Sequence, residues 1–345
     1  MRVLVTGASG LLGAATAHGI ANRGHQVVVF QRRASGLPFD EVRGDILDVD
    51  ALTHALVGAE AVVHLAAKVS ITGTMADFER VNVEGTRLVL QGARAAGVKR
   101  FVYVSSPSVA HTGAPIVGAG AATASPQEAR GPYAITKAQA ELLALGEDRP
   151  GFSVVAIRPH LVWGPGDEQL IGRIITRARA GRLFLIDHGH ALIDTTYIDN
   201  AASALVAAVE RAAEPSVHGR AFVVTNGQPR TVAELLTQIT RAAGLPGPTR
   251  SVPFAAAYGA GRVVERIWRV RESEPPLTGF LAEQLATAHW FDQRETRLAL
   301  AWAPAVSLSE GFARLSRWYQ LQGCDLPGVI WAGPTSSHPM PGSAH

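Results

Sequence analysis

The chain has 345 residues, 47% of them hydrophobic, and a formal net charge of only +3. That supplies a core for one large α/β domain or for a cofactor domain with a smaller substrate lobe, and the arginines are scattered without a block of like charge, which argues against a nucleic-acid partner. The single cysteine, Cys324, excludes an intramolecular disulfide and a cysteine-rich zinc site, and no apolar run reaches the ~18 residues of a membrane span.

The chain opens with the apolar run Arg2-Val3-Leu4-Val5-Thr6, suited to a buried parallel strand. A strand this close to the first residue leads to the expectation of no signal peptide and a cytoplasmic protein. Gly7-Ala8-Ser9-Gly10-Leu11-Leu12-Gly13 follows, then a helical pattern to about Arg23 with Gly24 as its stop, then a second strand from His25 to Phe30. Strand, glycine loop, helix and strand in this order are the context of a dinucleotide site. Gly7 permits the tight turn, Gly10 lets backbone approach a pyrophosphate, and Gly13 lets the helix pack close to the strands. The helix N-terminus adds free N–H groups and partial positive charge. Gly7, Ser9, Gly10, Leu11 and Gly13 are therefore candidate cofactor contacts.

The end of the second strand chooses between the two nicotinamide cofactors. NAD sites usually place an acid there to hold the ribose 2′-hydroxyl. Here Phe30-Gln31-Arg32-Arg33 has none, and an arginine pairs with a 2′-phosphate. The expected cofactor is NADP(H), with Arg32 as the first contact and Arg33 as the second. Further on, Asp45 in Gly44-Asp45-Ile46 follows a short third strand. It is read either as an acceptor for the adenine amino group, with Ile46 beside it, or as a loop acid capping the next helix.

Strands at 61–67, 101–106 and 152–159 alternate with helical stretches, so the fold class is α/β: a Rossmann-type, doubly wound parallel sheet covered on both faces. Its ligands bind outside the carboxyl ends of the strands. Tyr133 and Lys137 lie four residues apart in Gly131-Pro132-Tyr133-Ala134-Ile135-Thr136-Lys137, hence on one helical face. A phenol normally titrates near ~10; an adjacent ammonium favours the phenolate and lowers that value, which prepares the tyrosine to trade a proton with an alcohol or carbonyl oxygen. His64 reads as a packed, hydrogen-bonded side chain. His160, Trp163 and Asp167 follow the Arg158-Pro159 turn as candidate lining of a substrate cleft, and Tyr197, Asp199 and Asn200 as structural caps.

Residues 1–165 are expected to form the dinucleotide-binding domain, with parts of 190–230 returning to it. Residues 166–325 form a smaller, mostly helical C-terminal substrate lobe, and 326–345, rich in Pro, Gly and Ser, a disordered tail. Within the lobe, 254–271 sets Tyr258, Val263, Val264, Ile267 and Trp268 among Arg262, Arg266, Arg269 and Arg271. It is read as a surface helix, a cover for an alkyl-chain pocket, or a site of peripheral membrane contact.

Taken together, Thr6-Gly7-Ala8-Ser9-Gly10-Leu11-Leu12-Gly13, Gly44-Asp45, His64-Leu65-Ala66-Ala67, Asn82 in Val81-Asn82-Val83, Ser105-Ser106, Tyr133 with Lys137, and Arg158-Pro159 resemble the extended short-chain dehydrogenase/reductase superfamily, and within it the 3β-hydroxysteroid dehydrogenase/isomerase family. Leu65-Ala66-Ala67-Lys68, Ser106-Pro107-Ser108-Val109, Trp163-Gly164-Pro165-Gly166-Asp167, 196–202, Pro276-Leu277-Thr278 and His289-Trp290 are similar to the 2-alkyl-3-oxoalkanoate reductases of bacterial olefin and β-lactone pathways. This resemblance implies NADPH-dependent reduction of a lipid-like 2-alkyl-3-keto acid to the 3-hydroxy acid. It assigns Tyr133 as general acid, Lys137 as its partner and holder of the nicotinamide ribose, and Ser106 as the hydroxyl that orients the ketone, with Ser108 as the rival. It adds Ala66, Lys68, Asn82 and Pro159 to the cofactor contacts; Asn82 is also read as a helix N-cap. The competing readings are a 3β-hydroxysteroid dehydrogenase, a sugar-nucleotide epimerase or dehydratase, and a non-catalytic NADP(H)-binding regulator. No metal is expected, and a homodimer is a candidate assembly.

Overall fold

The computed structural model describes residues 1–69, 73–268 and 278–322. Seven strands form one sheet: β1 (Arg2–Thr6), β2 (Gln26–Gln31), β3 (Asp40–Arg43), β4 (Ala61–His64), β5 (Arg100–Val104), β6 (Ser153–Pro159) and β7 (Arg220–Val224). Their spatial order is β7-β6-β5-β4-β1-β2-β3, and every neighbouring pair is parallel. The order reverses between β1 and β4, and a ligand crevice of such a sheet lies at that reversal, beyond the carboxyl ends.

The two faces follow from the strand period of two. Val3, Val5, Val27 and Val29 point to one side and pack with Ala17, Ile20, Leu205 and Val209 from helices Leu11–Asn22 and Ile198–Arg211. Leu4, Val28 and Phe30 point to the other and pack with Leu52, Leu56, Val89, Leu90, Ala140 and Ala144. All of these side chains are buried, so both faces are covered and the strands read as nearly continuous apolar runs.

A second, four-stranded sheet joins Arg230–Thr231, Leu192–Ile193, His289–Phe291 and Ile116–Ala119. It binds a segment of the first half to the helical C-terminal part, which contains Val232–Ala242, Phe254–Trp268, Gly279–Ala286 and Leu308–Gln322. Among the described residues no helix is long and apolar enough to cross a membrane. The expected tail, Cys324, Arg269, Arg271 and the Pro276-Leu277 part of one matched segment lie outside the described residues.

Candidate active site

The glycine loop is built as its residue types require. Gly7 has φ +76, a left-handed value that suits glycine, and a Cβ there would sit 2.8 Å from the Ala66 nitrogen. A Cβ on Gly13 would sit 2.3 Å from the Gly7 carbonyl oxygen. Gly10 differs: the nearest atom to its Cβ position is 3.5 Å away, so space lies open above it. It precedes helix Leu11–Asn22, and Ser9, Gly10 and Leu11 are exposed. An accessible helix N-terminus over a glycine without a covering side chain fits a pyrophosphate.

At the adenosine end, Gln31 is part of β2 and is buried. Its Nε2 donates to Glu41 Oε2 at 2.8 Å. The same oxygen accepts from the Ser35 amide at 2.8 Å and the Ser35 hydroxyl at 2.6 Å, bonds that hold the carboxyl down at about 2. Arg32 and Arg33 are exposed beside this cluster. Asp45 is not the helix cap: Asp48 accepts from Asp50 N and Ala51 N at the start of Val49–Ala55. Asp45 instead accepts from Leu47 N at 3.0 Å, and Ile46 is buried against Gly85.

Across the reversal point, Ala66 N donates to Thr6 Oγ1 at 3.1 Å. Asn82 is buried inside a single π-helical segment, Glu79–Glu84, so it is not an N-cap. Its Oδ1 accepts from Lys68 N at 2.7 Å and its Nδ2 donates to Thr136 Oγ1 at 3.1 Å. Asn82 therefore ties the backbone after β4 to helix Gly131–Gly146, which carries Tyr133 and Lys137. π-Helical insertions of this kind recur at functional sites.

Ser106 follows β5 in extended geometry, φ −151 and ψ 145. The Ser108 hydroxyl donates to Ser106 Oγ at 2.9 Å, and Ser106 lies near enough to the Tyr133 phenol to draw its pKa down. The hydroxyls of Ser106 and Ser108 thus meet just beyond the carboxyl end of β5, on the side of Tyr133. Lys137 is buried; its Nζ donates to the Val104 carbonyl at 2.6 Å and lies 4.1 Å from the Tyr103 ring centroid.

The expected acidification of Tyr133 by Lys137 is not found. Burial pushes the phenol up to about 12, opposed only by the nearby Ser106 hydroxyl. Burial also draws the Lys137 ammonium down to about 7, against an upward pull from Glu141. Desolvation penalises both charged forms here and outweighs the attraction inferred from spacing alone.

One more expectation is corrected. Trp163 does not line a cleft: it is buried, stacked 4.6 Å from Phe312, with Nε1 donating to Thr195 Oγ1. Asp167 accepts from the amides of residues 169, 170 and 171. His160 is buried with Nδ1 on the Asp194 carbonyl and its ring against His289. Tyr197 takes the N-cap position of helix Ile198–Arg211 without a side-chain cap bond, and the other two expected caps have different partners. Asp199 pairs with Arg314 at 2.9 Å, and Asn200 bonds Asn226 and Val306 from inside the core. Pro159 is buried at the end of β6, opposite Val224. Before it, Arg158 holds Glu141 bidentately and donates to the Ala122 carbonyl at 2.7 Å. Glu141 was not singled out from sequence, although its place one turn beyond Lys137 was a readable signal.

The sequence pattern of the NAD dependent epimerase/dehydratase family matches residues 3–224, from β1 through β7. The chain belongs to that family. It is an oxidoreductase of the extended short-chain dehydrogenase/reductase type, dependent on a nicotinamide dinucleotide. It is 42% identical over 325 residues to the 2-alkyl-3-oxoalkanoate reductase of Stenotrophomonas maltophilia, covering 91% of this chain and 98% of that protein. It is 34% identical over 326 residues to the enzyme of the same name from Shewanella oneidensis, covering 90% and 84%. Among solved structures, MoeE5 in complex with UDP-glucose and NAD superposes with a TM-score of 0.69 at 26% identity, over 93% of this chain and 99% of that one.

Proposed function

We propose that the protein reduces a 2-alkyl-3-oxoalkanoic acid to the 2-alkyl-3-hydroxyalkanoic acid with NADPH. The observation that carries this reading is the placement of the Tyr133 phenol near the Ser106 hydroxyl that follows β5, with Lys137 one helical turn further on. The phenol carries the proton that a ketone oxygen needs as it becomes an alcohol, and a positive charge at Lys137 favours its release. The long alignment with the two reductases supports the substrate class.

The cofactor-holding residues in this reading are Gly7, Ser9, Gly10, Leu11 and Gly13 for the pyrophosphate, Asp45 and Ile46 for the adenine, and Arg32, backed by Arg33, for the 2′-phosphate. Ala66, Lys68, Asn82 and Pro159 serve the nicotinamide side. NADPH, when bound, supplies the hydride. Tyr133 delivers the proton to the ketone oxygen, and the Ser106 hydroxyl, supported by Ser108, keeps that oxygen in line. Lys137 holds a positive charge behind the phenolate left after transfer and reaches the ribose hydroxyls; solvent then restores the tyrosine proton. Helix Phe254–Trp268 exposes Val263 and Ile267 beside exposed Arg262 and Arg266, and we assign it a peripheral contact with anionic membranes, tested by pelleting with anionic and neutral vesicles at low salt.

The test of function is a panel assay. Purified protein is mixed with NADPH and 2-alkyl-3-keto acids, 3-keto steroids or UDP-sugars, and loss of reduced-cofactor absorbance is followed. Turnover confined to the keto acids is expected. Turnover of a steroid or sugar nucleotide with none of the keto acids would contradict the reading.

A further inference from the structure

Buried ammonium groups are rare because losing water costs several kcal/mol unless something replaces it. Lys137 is 3% exposed, and among the described residues no carboxylate lies within ion-pair distance of its Nζ. Glu141, one turn along, is committed to Arg158. His64 on neighbouring β4 is no help: burial drives it down to about 3, so it is neutral, its ring nitrogens on Thr6 and Thr86. Tyr133 and Tyr103 are both kept as neutral phenols by burial. One of the three ammonium donors is spent on the Val104 carbonyl. Glu141 still pulls the lysine upward from a distance; in contact with the charge is the face of the Tyr103 ring, 4.1 Å from Nζ and itself only 1% exposed. A ring face carries the negative part of the aromatic quadrupole, and its attraction for a cation grows as both lose water.

We propose that Tyr103 is a positioning residue for the reduction: its buried ring face is the floor that keeps the Lys137 ammonium charged and fixed one helical turn from Tyr133. The proposal rests on the reading of Lys137 as part of the reductase site. It gives a role to a residue inside β5, where a Leu or Phe would satisfy the sheet equally well. It separates the two halves of the side chain, because the ring carries the effect and the hydroxyl does not.

The test is the pH profile of kcat/KM for a 2-alkyl-3-keto acid with saturating NADPH, which reports groups of the free cofactor-loaded enzyme. Tyr103→Phe keeps the ring and should leave the alkaline limb where the wild type has it. Phenylalanines carrying one, two and three ring fluorines, incorporated at position 103, weaken the quadrupole at nearly constant size. They should move that limb stepwise to lower pH, by about one unit for the trifluoro ring, a tenfold change in the lysine protonation equilibrium. At pH 5, about a unit below the lowest expected midpoint, the ammonium is favoured in every variant and the rates should converge. An unmoved limb across the fluorinated series would overturn the role of Tyr103, as would an equal loss at every pH. Lys137→Met separates the two levels of the argument. If it retains wild-type rates, the assignment of Lys137 fails and this inference with it. If it is inactive while the fluorinated series is unshifted, only the Tyr103 inference fails.

Discussion

Gln31 closes β2 at the position where an acid would meet a ribose 2′-hydroxyl, and its amide is turned onto Glu41 of the adjacent strand. The absence of an acid at 31 is legible in the sequence. The presence of one at 41 beside it is not, because only the register of β2 against β3, with Val29 opposite Glu41 and Gln31 opposite Arg43, brings them together. Glu41 is saturated by Ser35 and Gln31, which leaves the exposed arginines to meet an incoming phosphate. Arg32→Ala should therefore weaken NADPH by roughly tenfold or more, the worth of a charge-assisted hydrogen bond, and leave NADH within about twofold; fluorescence titration with both cofactors measures the difference. Equal losses would assign Arg32 to the fold. The pKa of Tyr133 shows the opposite limit of sequence reasoning. Spacing identifies the pair, but the sign of the shift is set by burial, which no four-residue interval contains.

Helix Gly131–Gly146 places Tyr133, Lys137 and Glu141 at intervals of one turn, so three successive side chains reach the same side. The first two were readable as a pair. The buried partner of the third, Arg158, comes from β6 and meets it only once helix and sheet have packed. Removing one member of such a pair leaves the other charged and buried. Glu141→Gln should cost about 3–5 kcal/mol, read as a lower urea midpoint with an unchanged m value. In the glycine loop, Gly13→Ala should be disruptive although alanine favours helices, since its Cβ would fall on the Gly7 carbonyl. The expected result is loss of cofactor binding, measured by the same titration, with far-UV circular dichroism retained. Unaltered affinity would mean that the loop can yield.

The parallel sheet was legible from alternating apolar strands and helical stretches, whereas its strand order was not, because several doubly wound orders share that alternation. The second sheet was not. Its strands are two to four residues long and come from segments far apart, with Ile116 opposite His289, so no local period announces them. The whole molecule also carries an acid sensitivity. His64 and His160 are buried and driven down to about 3, below an unfolded value near ~6.5. Their contribution is complete above that unfolded value and is lost as pH falls toward 3, because the unfolded chain binds protons that the native one refuses. Stability should fall between pH 6 and 4 by about 1.4 kcal/mol per pH unit for each histidine, measured by urea unfolding across that range; a flat profile would mean that both rings protonate in place. The account of catalysis comes down to one proton donor at the carboxyl end of β5. Its most direct test is Tyr133→Phe, assayed for NADPH affinity and for turnover of a 2-alkyl-3-keto acid. NADPH should bind as to the wild type while kcat falls by about 10²- to 10⁴-fold; near-normal turnover would contradict the assignment.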